Sequence, residues 1–405
     1  MTGWTTKSIG DVTTIINGGT PKSGVAEYWD GDVLWITPKD MGKLDGDYAA
    51  DTGRKISEKG LARSSAKLIP ENSVILSTRA PIGHLAINTL PMATNQGCRG
   101  LVPSNVLDTK YLFYFLRLNV DLLNDLGSGT TFKELSKGAL SGVQIPLPPL
   151  PEQKRIVAIL DEAFAGIDAA VANTRQNLAN ARELFESYLN SVFTQPSDGW
   201  ENVKLKDICT KITDGVHKKP HYVDKGVPFI KINNLTAGLG ISFENVSYIS
   251  KEDHELFCKR THPEKGDILI TKDGTIGIVR VIDTDIEFSI FVSVALIKPI
   301  DKSISPYLKY VLESPLIQSQ INPQGAALKH LYLRDLREYE FPIAPKNEQD
   351  RIVDMLDSFS AESYRLESIY KQKLEALAEL KQSILQKAFA GELTALPEKI
   401  LEEAM

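Results

Sequence analysis

Residues 146–161 read PLPPLPEQKRIVAILD, and residues 342–357 read PIAPKNEQDRIVDMLD. The two stretches lie 196 residues apart and share prolines, Glu-Gln, Arg-Ile-Val and Leu-Asp at corresponding positions. A proline segment followed by an acidic residue and spaced apolar residues is typical of the start of a helix. Since this start occurs twice, the sequence indicates two copies of one module.

Further matches carry the repeat through the rest of the chain. They include Gly3 and Trp4 with Gly199 and Trp200, Tyr111 and Leu112 with Tyr307 and Leu308, and Gly129, Lys133 and Leu135 with Gly325, Lys329 and Leu331. A period this long describes a duplicated domain, because the repeat units of solenoids have about 20–50 residues.

The first part of each copy has about 150 residues and a mixed pattern. Short β-branched runs at 33–36, 74–77 and 268–271 are bounded by Gly, Asn, Asp and Pro, which predicts strands joined by turns. One helix is predicted near 111–118 and again near 306–312. Each mixed region closes on prolines, at 146–151 and 341–345, which we interpret as stiff extended connectors.

The second part of each copy is a proline-free stretch with apolar residues at spacings of three and four. These residues are Ile156, Leu160, Ala163, Ile167, Val171, Leu178, Ala181, Phe185, Tyr188 and Val192, and in the second copy Ile352, Leu356, Phe359, Leu366, Tyr370, Leu374, Leu377, Leu380 and Ile384. About 40 residues at ~1.5 Å each predict a helix of about 60 Å. A narrow apolar seam of this length favours a partner helix. Each helix could instead lie on its own domain.

The predicted fold class is therefore α+β with a pseudo-twofold internal repeat. Two mixed α/β domains, residues 1–150 and 197–347, alternate with a central helix at 151–196 and a C-terminal helix and tail at 348–405. The two helices are expected to pair as an antiparallel coiled coil.

Composition limits the class of protein. The chain has 405 residues, which is too long for one ordinary core, and 46 basic against 52 acidic side chains give a net charge of -6. Three cysteines fit a reducing compartment. The first residues lack the basic and apolar regions of a secretory signal, and no window resembles a membrane span, so a cytoplasmic location is expected.

The acidity is not spread evenly. Residues 1–150 carry 15 basic and 14 acidic side chains, and residues 197–347 carry 20 of each. The helical segments are acidic, with 4 against 6 at 151–196 and 7 against 12 at 348–405. Neutral domains can still bind nucleic acid through a few placed cations, but we expect weak binding without partners.

No catalytic motif is recognisable, because phosphate-binding loops, dinucleotide loops and nucleophile elbows are all missing from the sequence. Two histidine patterns are candidate metal sites. His217 and His221 flank a Lys-Lys-Pro segment that forbids a regular helix, and His254, Cys258 and His262 precede Pro263. Ordinary loop residues remain the preferred interpretation of both, and Gly18 and Gly19 are interpreted as a turn. We expect no catalytic residues and no metal ligands.

Polar residues in Gly- and Pro-punctuated stretches form a candidate DNA-binding set. Arginine pairs with guanine and Asn or Gln with adenine, and glycine-flanked cations suit phosphate contacts. The first copy contributes Thr78, Arg79, Asn95, Gln96, Arg99, Gly129, Thr130, Thr131 and Lys133. The second contributes Lys218, Lys219, His221, Lys231, Asn233, Asn234, Lys272, Asp273 and Lys329.

The whole chain resembles the specificity subunits of type I restriction–modification enzymes. The most specific element runs from Ser128 to Asp161 and has a degenerate second version from Gln324 to Asp357, which departs from the pattern at Ala326 and Ala327. The stretch SILQKAFAGEL at 383–393 also resembles that family.

The resemblance implies that each mixed domain is a target-recognition domain for one half of a bipartite, asymmetric double-stranded DNA site. It implies that the helices fix the spacing of the half-sites and dock two modification subunits. This chain then binds no cofactor, and S-adenosylmethionine, ATP and Mg²⁺ belong to the modification and restriction subunits. Two other hypotheses are a coiled-coil adaptor without DNA readout and an enzyme with an unrecognised site.

Overall fold

The computed structural model describes residues 4–79, 81–129, 133–321 and 330–394. The chain divides into two compact units, which combine Met1–Thr174 with Lys373–Met405 in unit 1 and contain Arg175–Gln372 in unit 2. Each unit holds one mixed domain and half of each long helix. The linear segments of the sequence prediction are therefore packed so that both helices are shared by both units.

The described residues of unit 1 form ten strands in three sheets. The strands are β1 Thr5–Ser8, β2 Thr13–Asn17, β3 Trp29–Ile36, β4 Tyr48–Ala49, β5 Lys55–Ile56, β6 Val74–Thr78, β7 Ile82–Asn88, β8 Ala93–Thr94, β9 Cys98–Pro103 and β10 Gln144–Leu147. The main sheet has the order β2-β9-β6-β7-β4, and a smaller sheet has the order β5-β3-β8. Strands β1 and β10, the first and last strands of the domain, pair antiparallel.

Six short helices complete the first domain, and a long helix follows them. The helices are α1 Ile9–Val12, α2 Pro38–Met41, α3 Glu58–Ala62, α4 Thr109–Leu118, α5 Val120–Asp125, α6 Lys137–Gly142 and the long α7 Leu150–Thr194. Helix α4 begins at the Asp108 cap, whose carboxylate accepts hydrogen bonds from the Lys110 and Tyr111 amides. It then buries nearly every apolar side chain against the main sheet.

Unit 2 repeats this arrangement with ten further strands. They are β11 Glu201–Lys204, β12 Cys209–Asp214, β13 Tyr222–Val223, β14 Val227–Ile230, β15 Ser247–Ile249, β16 Ile268–Thr271, β17 Val279–Val281, β18 Ser289–Ile290, β19 Val294–Pro299 and β20 Glu340–Ile343. Two four-stranded sheets have the orders β12-β19-β16-β17 and β13-β15-β14-β18, and β11 pairs with β20.

The helices of unit 2 follow the same order as those of unit 1. They are α8 Ile232–Thr236, α9 Lys251–Cys258, α10 Ser305–Glu313, α11 Pro315–Ile321, α12 Leu333–Glu338 and the long α13 Lys346–Ala390. The strand runs and the two domain helices expected from the sequence are present, since β3, β6, β16, α4 and α10 lie where the pattern predicts them.

The two long helices have 45 residues each and pair antiparallel. In unit 1 the first half of α7 packs on the end of α13, where Ile156 and Leu160 share a core with Leu385 and Phe389. In unit 2 the second half of α7 packs on the start of α13, where Tyr188 stacks on Phe359 with ring centroids 4.9 Å apart. The predicted fold class is confirmed.

Polar contacts repeat along the helix pair in both units. Arg182 Nη2 contacts Glu367 Oε2 at 2.8 Å in unit 2, and Lys381 forms an ion pair with Asp168 in unit 1. Each unit thus carries its own cross-helix ion pair beside its apolar seam.

The sequence prediction was incomplete in two details. The first proline segment is extended as expected but does more than connect two elements, because Pro146 pairs with Thr6 in the β1–β10 ladder and Pro151 lies in the first turn of α7. A proline there loses nothing, since the first helical N–H groups have no partner in the helix. The seam was also misjudged, because Phe193 and Phe389, which the pattern omitted, are among the buried residues.

The same tyrosine–aspartate hydrogen bond joins the domain to its helix in both copies. Tyr114 donates a hydrogen bond from its hydroxyl to Asp161 Oδ1 at 2.5 Å, and Tyr310 donates in the same way to Asp357. Burial, followed by the hydrogen bond and negative charge of the aspartate, raises the pKa of both tyrosines. Both hydroxyls therefore stay protonated and act as donors that hold the domain on its helix.

Candidate nucleic-acid interface

In unit 1, the C-terminal ends of β2 and β6 and the N-terminal start of β9 lie at the same end of the main sheet. Asn17 and Leu76 both lie opposite Arg99 in the ladder. We call this region the first loop cluster and define it as residues 17–20, 78–79, 95–99, 128–129 and 133–135. It gathers all the described residues of the first copy that the sequence selected as candidate DNA contacts.

Glycine makes the close approach of these loops possible. A Cβ added to Gly18 would lie 1.7 Å from the Asn95 carbonyl oxygen. The Gly18 and Gly19 amides instead donate to the carbonyls of Cys98 and Thr94, at 3.3 and 2.8 Å. These glycines therefore pack one loop against another; the nearest turn lies at Ser23 and Gly24, not at Gly18 and Gly19 as the sequence suggested.

Glu134 joins two arginines in the first loop cluster. Arg79 Nη2 lies 2.7 Å from Glu134 Oε2, and Arg99 Nη2 lies 3.7 Å from Oε1. Arg99 also donates from Nε to Asn17 Oδ1 at 3.2 Å and from Nη1 to the Leu135 carbonyl. The Arg79 side chain is 45% exposed, whereas that of Arg99 is 11% exposed.

The burial of Arg99 defines its role. Burial lowers the pKa of its guanidinium, and the negative charge of Glu134 works against that shift. A guanidinium keeps its charge in proteins because its ordinary pKa is above 12. Its described contacts are all internal, so Arg99 anchors Glu134 and the 134–135 segment, while Arg79 faces outward.

The other selected residues of the first copy differ in accessibility. Thr78 is buried, with its hydroxyl 3.4 Å from the Gly97 carbonyl, and the Asn95 side chain accepts from the Gly97 amide at 3.0 Å. Gln96 is exposed and accepts from the Thr20 hydroxyl. Lys133 is also exposed. Gly129 has φ +117°, and Thr130 and Thr131 lie outside the described residues.

Unit 2 carries an equivalent region, the second loop cluster, at residues 214–217, 271–273, 291–294 and 330–331. The Leu135 amide donates to the Thr78 carbonyl in the first cluster, and the Leu331 amide donates to the Lys272 carbonyl in the second, at 3.0 and 2.8 Å. The bridge between Arg79 and Glu134 corresponds to a bridge between Asp273 and His330.

A buried ion pair supports the second loop cluster. Lys272 Nζ lies 2.6 Å from Asp214 Oδ2, and Arg260 Nη2 lies 2.6 Å from Asp214 Oδ1. The side chains of Lys272 and Asp214 are only 3% and 6% exposed. Burial raises the pKa of Asp214, but hydrogen bonds and positive charge from Lys272 and Arg260 outweigh burial, so the net pKa lies below its usual value.

The remaining selected residues of the second copy fall into two groups. Lys218, Lys219, His221 and Asn233 are exposed. Asn234 is buried, where its side chain accepts from the Lys231 amide at 2.9 Å and donates to the Ser242 carbonyl at 3.0 Å. Lys231 Nζ donates to Ser247 Oγ at 3.0 Å. Lys329 lies outside the described residues.

Sequence reasoning missed the acidic and imidazole partners of the selected cations. Glu134, Asp214 and His330 were not selected, although Glu134 and His330 directly follow the selected residues Lys133 and Lys329. Adjacency to a selected lysine was the available signal. The pairings themselves join residues far apart in the chain, such as Asp273 with His330, and no local pattern marks them.

The histidine patterns do not form metal sites in the structure. Among the described residues, no three His, Cys, Asp or Glu side chains are placed to share a metal ion. Helix α9 ends at Cys258, so His262 does not continue its face. His254 is buried, with Nδ1 2.9 Å from Ser289 Oγ and Nε2 3.5 Å from the Cys258 sulfur.

The part of the chain that the structure describes contains no helix with both the length and the hydropathy of a membrane span.

Comparison with known proteins gives one family. The model described as "Type I restriction modification DNA specificity domain" matches residues 1–178 and again residues 197–376. The chain is 26% identical over 415 residues to the type I restriction enzyme MjaIX specificity subunit of Methanocaldococcus jannaschii, covering 96% of this chain and 93% of that one. It is 24% identical to the EcoKI specificity subunit of Escherichia coli K12, covering 97% and 90%.

Two solved structures are similar in fold. One belongs to work on complex assembly and conformational transition of the type I R-M system, with a TM-score of 0.80, 22% identity and coverage of 97% of this chain and 99% of that one. The other is the HsdS subunit from Thermoanaerobacter tengcongensis, with a TM-score of 0.58, 22% identity and coverage of 96% and 97%.

Proposed function

The chain belongs to the type I restriction modification DNA specificity family, and we propose that it is the subunit that selects the DNA sequence for a type I restriction–modification complex. Each mixed domain reads one half of a bipartite, asymmetric site. The observation that carries this proposal is the duplicated loop cluster, which has one backbone plan and different side chains in the two units.

The exposed polar residues of each domain are the proposed DNA contacts. In unit 1 these are Arg79, Gln96 and Lys133, and in unit 2 they are Lys218, Lys219, His221 and Asn233, together with the 34% exposed side chain of Asp273. Arginine and amide side chains match the donor and acceptor pattern of base edges, while lysines suit phosphates. The buried residues contact the loops from the interior of each domain; they are Thr78, Arg99, Asn234 and Lys272.

The partners follow from the same proposal. Two modification subunits would carry the S-adenosylmethionine chemistry, and restriction subunits would use ATP and Mg²⁺, so this chain catalyses nothing by itself. Exposed apolar residues on the long helices offer docking positions, such as Leu184 at 61% and Leu380 at 46% exposure. The subunit would work in the cytoplasm, with the DNA that it reads.

Selection from randomised duplexes tests the DNA role. The purified chain with its modification subunits should enrich a bipartite sequence, and the modification subunits alone should not. If the complex enriches no sequence, the chain is an adaptor without DNA readout. If the chain alone turns over labelled S-adenosylmethionine or cleaves DNA, it is an enzyme and the proposal fails.

The paired helices are the proposed ruler between half-sites. Seven residues inserted after Thr174 and seven after Gln372 would lengthen both helices by about 10 Å, or about three base pairs. The selected site should then have a spacer about three base pairs longer and unchanged half-sites. Seven residues added after Met405 form the control, which should keep the original spacer. An unchanged spacer in the helix variant would contradict the ruler.

A further inference from the structure

In the first loop cluster, Arg79 is the exposed member of a group of three side chains in contact. Buried Arg99 contacts Glu134, and Glu134 contacts Arg79, at the distances of 3.7 and 2.7 Å given above. We propose that Arg79 reads a guanine of the first half-site through its major-groove edge, and that Glu134, anchored by Arg99, positions it. This inference rests on the proposed function.

The backbone holds Glu134 in place. Its amide donates to the Ser128 carbonyl at 2.8 Å, and its carbonyl accepts from the Ser128 amide at 3.0 Å. On its other side it forms a bridge with Arg79. The backbone of Glu134 is therefore held by strand-like pairing, and its carboxylate lies between Arg99 and the Arg79 guanidinium.

The Arg79 guanidinium has hydrogen-bond donors that Glu134 does not occupy. A guanidinium has five N–H groups in a planar fork, and Arg79 directs Nη2 to Glu134. The described residues supply no second carboxylate partner for it. The remaining donors can form the bidentate pair with guanine O6 and N7, which is the base contact that arginine makes most often.

Positioning distinguishes Arg79 from the nearby Lys133. Ordering a long side chain costs free energy on binding, and a side chain that is already held avoids part of that cost. Lys133 is exposed, and its single polar side-chain contact among the described residues is the 3.5 Å distance from Nζ to the Asn124 carbonyl. A lysine ammonium without a fixed partner suits a phosphate, whereas an arginine guanidinium that is held by a carboxylate suits one base edge.

The test compares the complexes of the wild type and of single variants, each with modification subunits, on duplexes that differ at one base pair. Arg79→Ala should reduce discrimination at one guanine of the first half-site by about 5- to 150-fold, and Arg79→Lys should lose most of it too. The second half-site should be read as before. Uniform weakening on all duplexes would mean a phosphate contact and would overturn the inference.

Glu134→Gln separates positioning from direct contact. It should relax the same base pair as Arg79→Ala, by a smaller factor, and have no further effect when combined with Arg79→Ala. Relaxation at a different base pair, or an additive effect in the double variant, would overturn the role of Glu134.

A matched control variant shows whether loss of any ion pair in unit 1 changes discrimination. Lys59 is 54% exposed and forms a comparable 2.6 Å ion pair with Glu27 in the same unit, so Lys59→Ala should leave all discrimination unchanged. If the wild-type complex selects no sequence, the proposed function itself fails. If it selects a bipartite site that Arg79→Ala leaves intact, only this inference fails.

Discussion

The two loop clusters share a backbone plan and differ in charge. The first cluster places Arg79 opposite Glu134, and the second places Asp273 opposite His330. A donor in one copy is thus an acceptor in the other. This difference teaches that the duplicated fold fixes where a side chain stands, while the residue at that position sets which base chemistry it can match.

Behind these pairs, the supporting interactions also differ. The first cluster is held by the mostly buried Arg99 and the half-exposed Glu134, whereas the second is held by the buried pair of Lys272 and Asp214. The position of Lys272 corresponds to that of Thr78 in the first copy. Unit 2 should therefore depend on one ion pair more strongly than unit 1 depends on any single polar contact.

The largest expected effect comes from Lys272→Met. It leaves buried Asp214 with Arg260 as its remaining cation partner at 2.6 Å, and breaking a buried pair in this way costs up to about 3–5 kcal/mol. The matched variant Thr78→Val removes one neutral hydrogen bond and should cost about 1 kcal/mol. Urea unfolding measures both. Equal costs in the two variants would show that the clusters are supported alike.

The next effect concerns DNA discrimination in the second half-site. An aspartate accepts from the amino group of cytosine, so Asp273→Asn should weaken discrimination at one base pair by about fivefold or more. The first half-site should stay unchanged, in contrast to Arg79→Ala. Binding to single-substitution duplexes measures this. A change in both half-sites would break the assignment of one cluster to each half.

A smaller effect, similar in both copies, is expected at the two helix junctions. Tyr114→Phe and Tyr310→Phe each remove one hydrogen bond to a carboxylate and should cost about 1.5 kcal/mol. The same donor and acceptor in both copies predict similar shifts of the unfolding midpoint. A large effect in one copy alone would show that the junctions, unlike the clusters, are not equivalent.

The smallest effect is a difference in acid sensitivity. Hydrogen bonds from Lys298 and Lys302 lower the pKa of Glu264 to about 2. Because this pKa is depressed on folding, its stabilisation is present above the unfolded pKa of about 4.3 and is lost as the pH falls toward 2. Glu264→Gln should flatten the stability profile of unit 2 between these pH values. The control is Glu71→Gln, at the corresponding exposed position in unit 1. An equal change of the profile in both variants would contradict the assignment.

The fold was predictable because its signals are local or repeated. The 196-residue offset and the helical spacing from Ile156 to Val192 are visible in one sequence. The exact seam was not, since Leu189 and Phe193 are buried by residues from elsewhere in unit 2, including Ile352 and Leu356. Periodicity shows that a helix has an apolar face, but the partner decides which neighbouring positions are covered.

The candidate site was predictable only as a list of polar residues. Lys272 and Arg99 look like surface cations in the sequence, yet each is buried by partners far away in the chain. Asp214 lies 58 residues before Lys272, and Glu134 follows Arg99 across two further helices. Burial of this kind depends on strand pairing, so the division into supporting and exposed residues required the structure.

The claim that each domain reads its own half-site is tested most directly by a chain in which residues 197–347 are replaced by a second copy of residues 1–150. The hybrid is expressed with modification subunits, its assembly is checked by size-exclusion chromatography, and the methylated bases of the host DNA are mapped. The account predicts a modified site with the first half-sequence at both ends. Persistence of the original second half-sequence in the mapped site would contradict it.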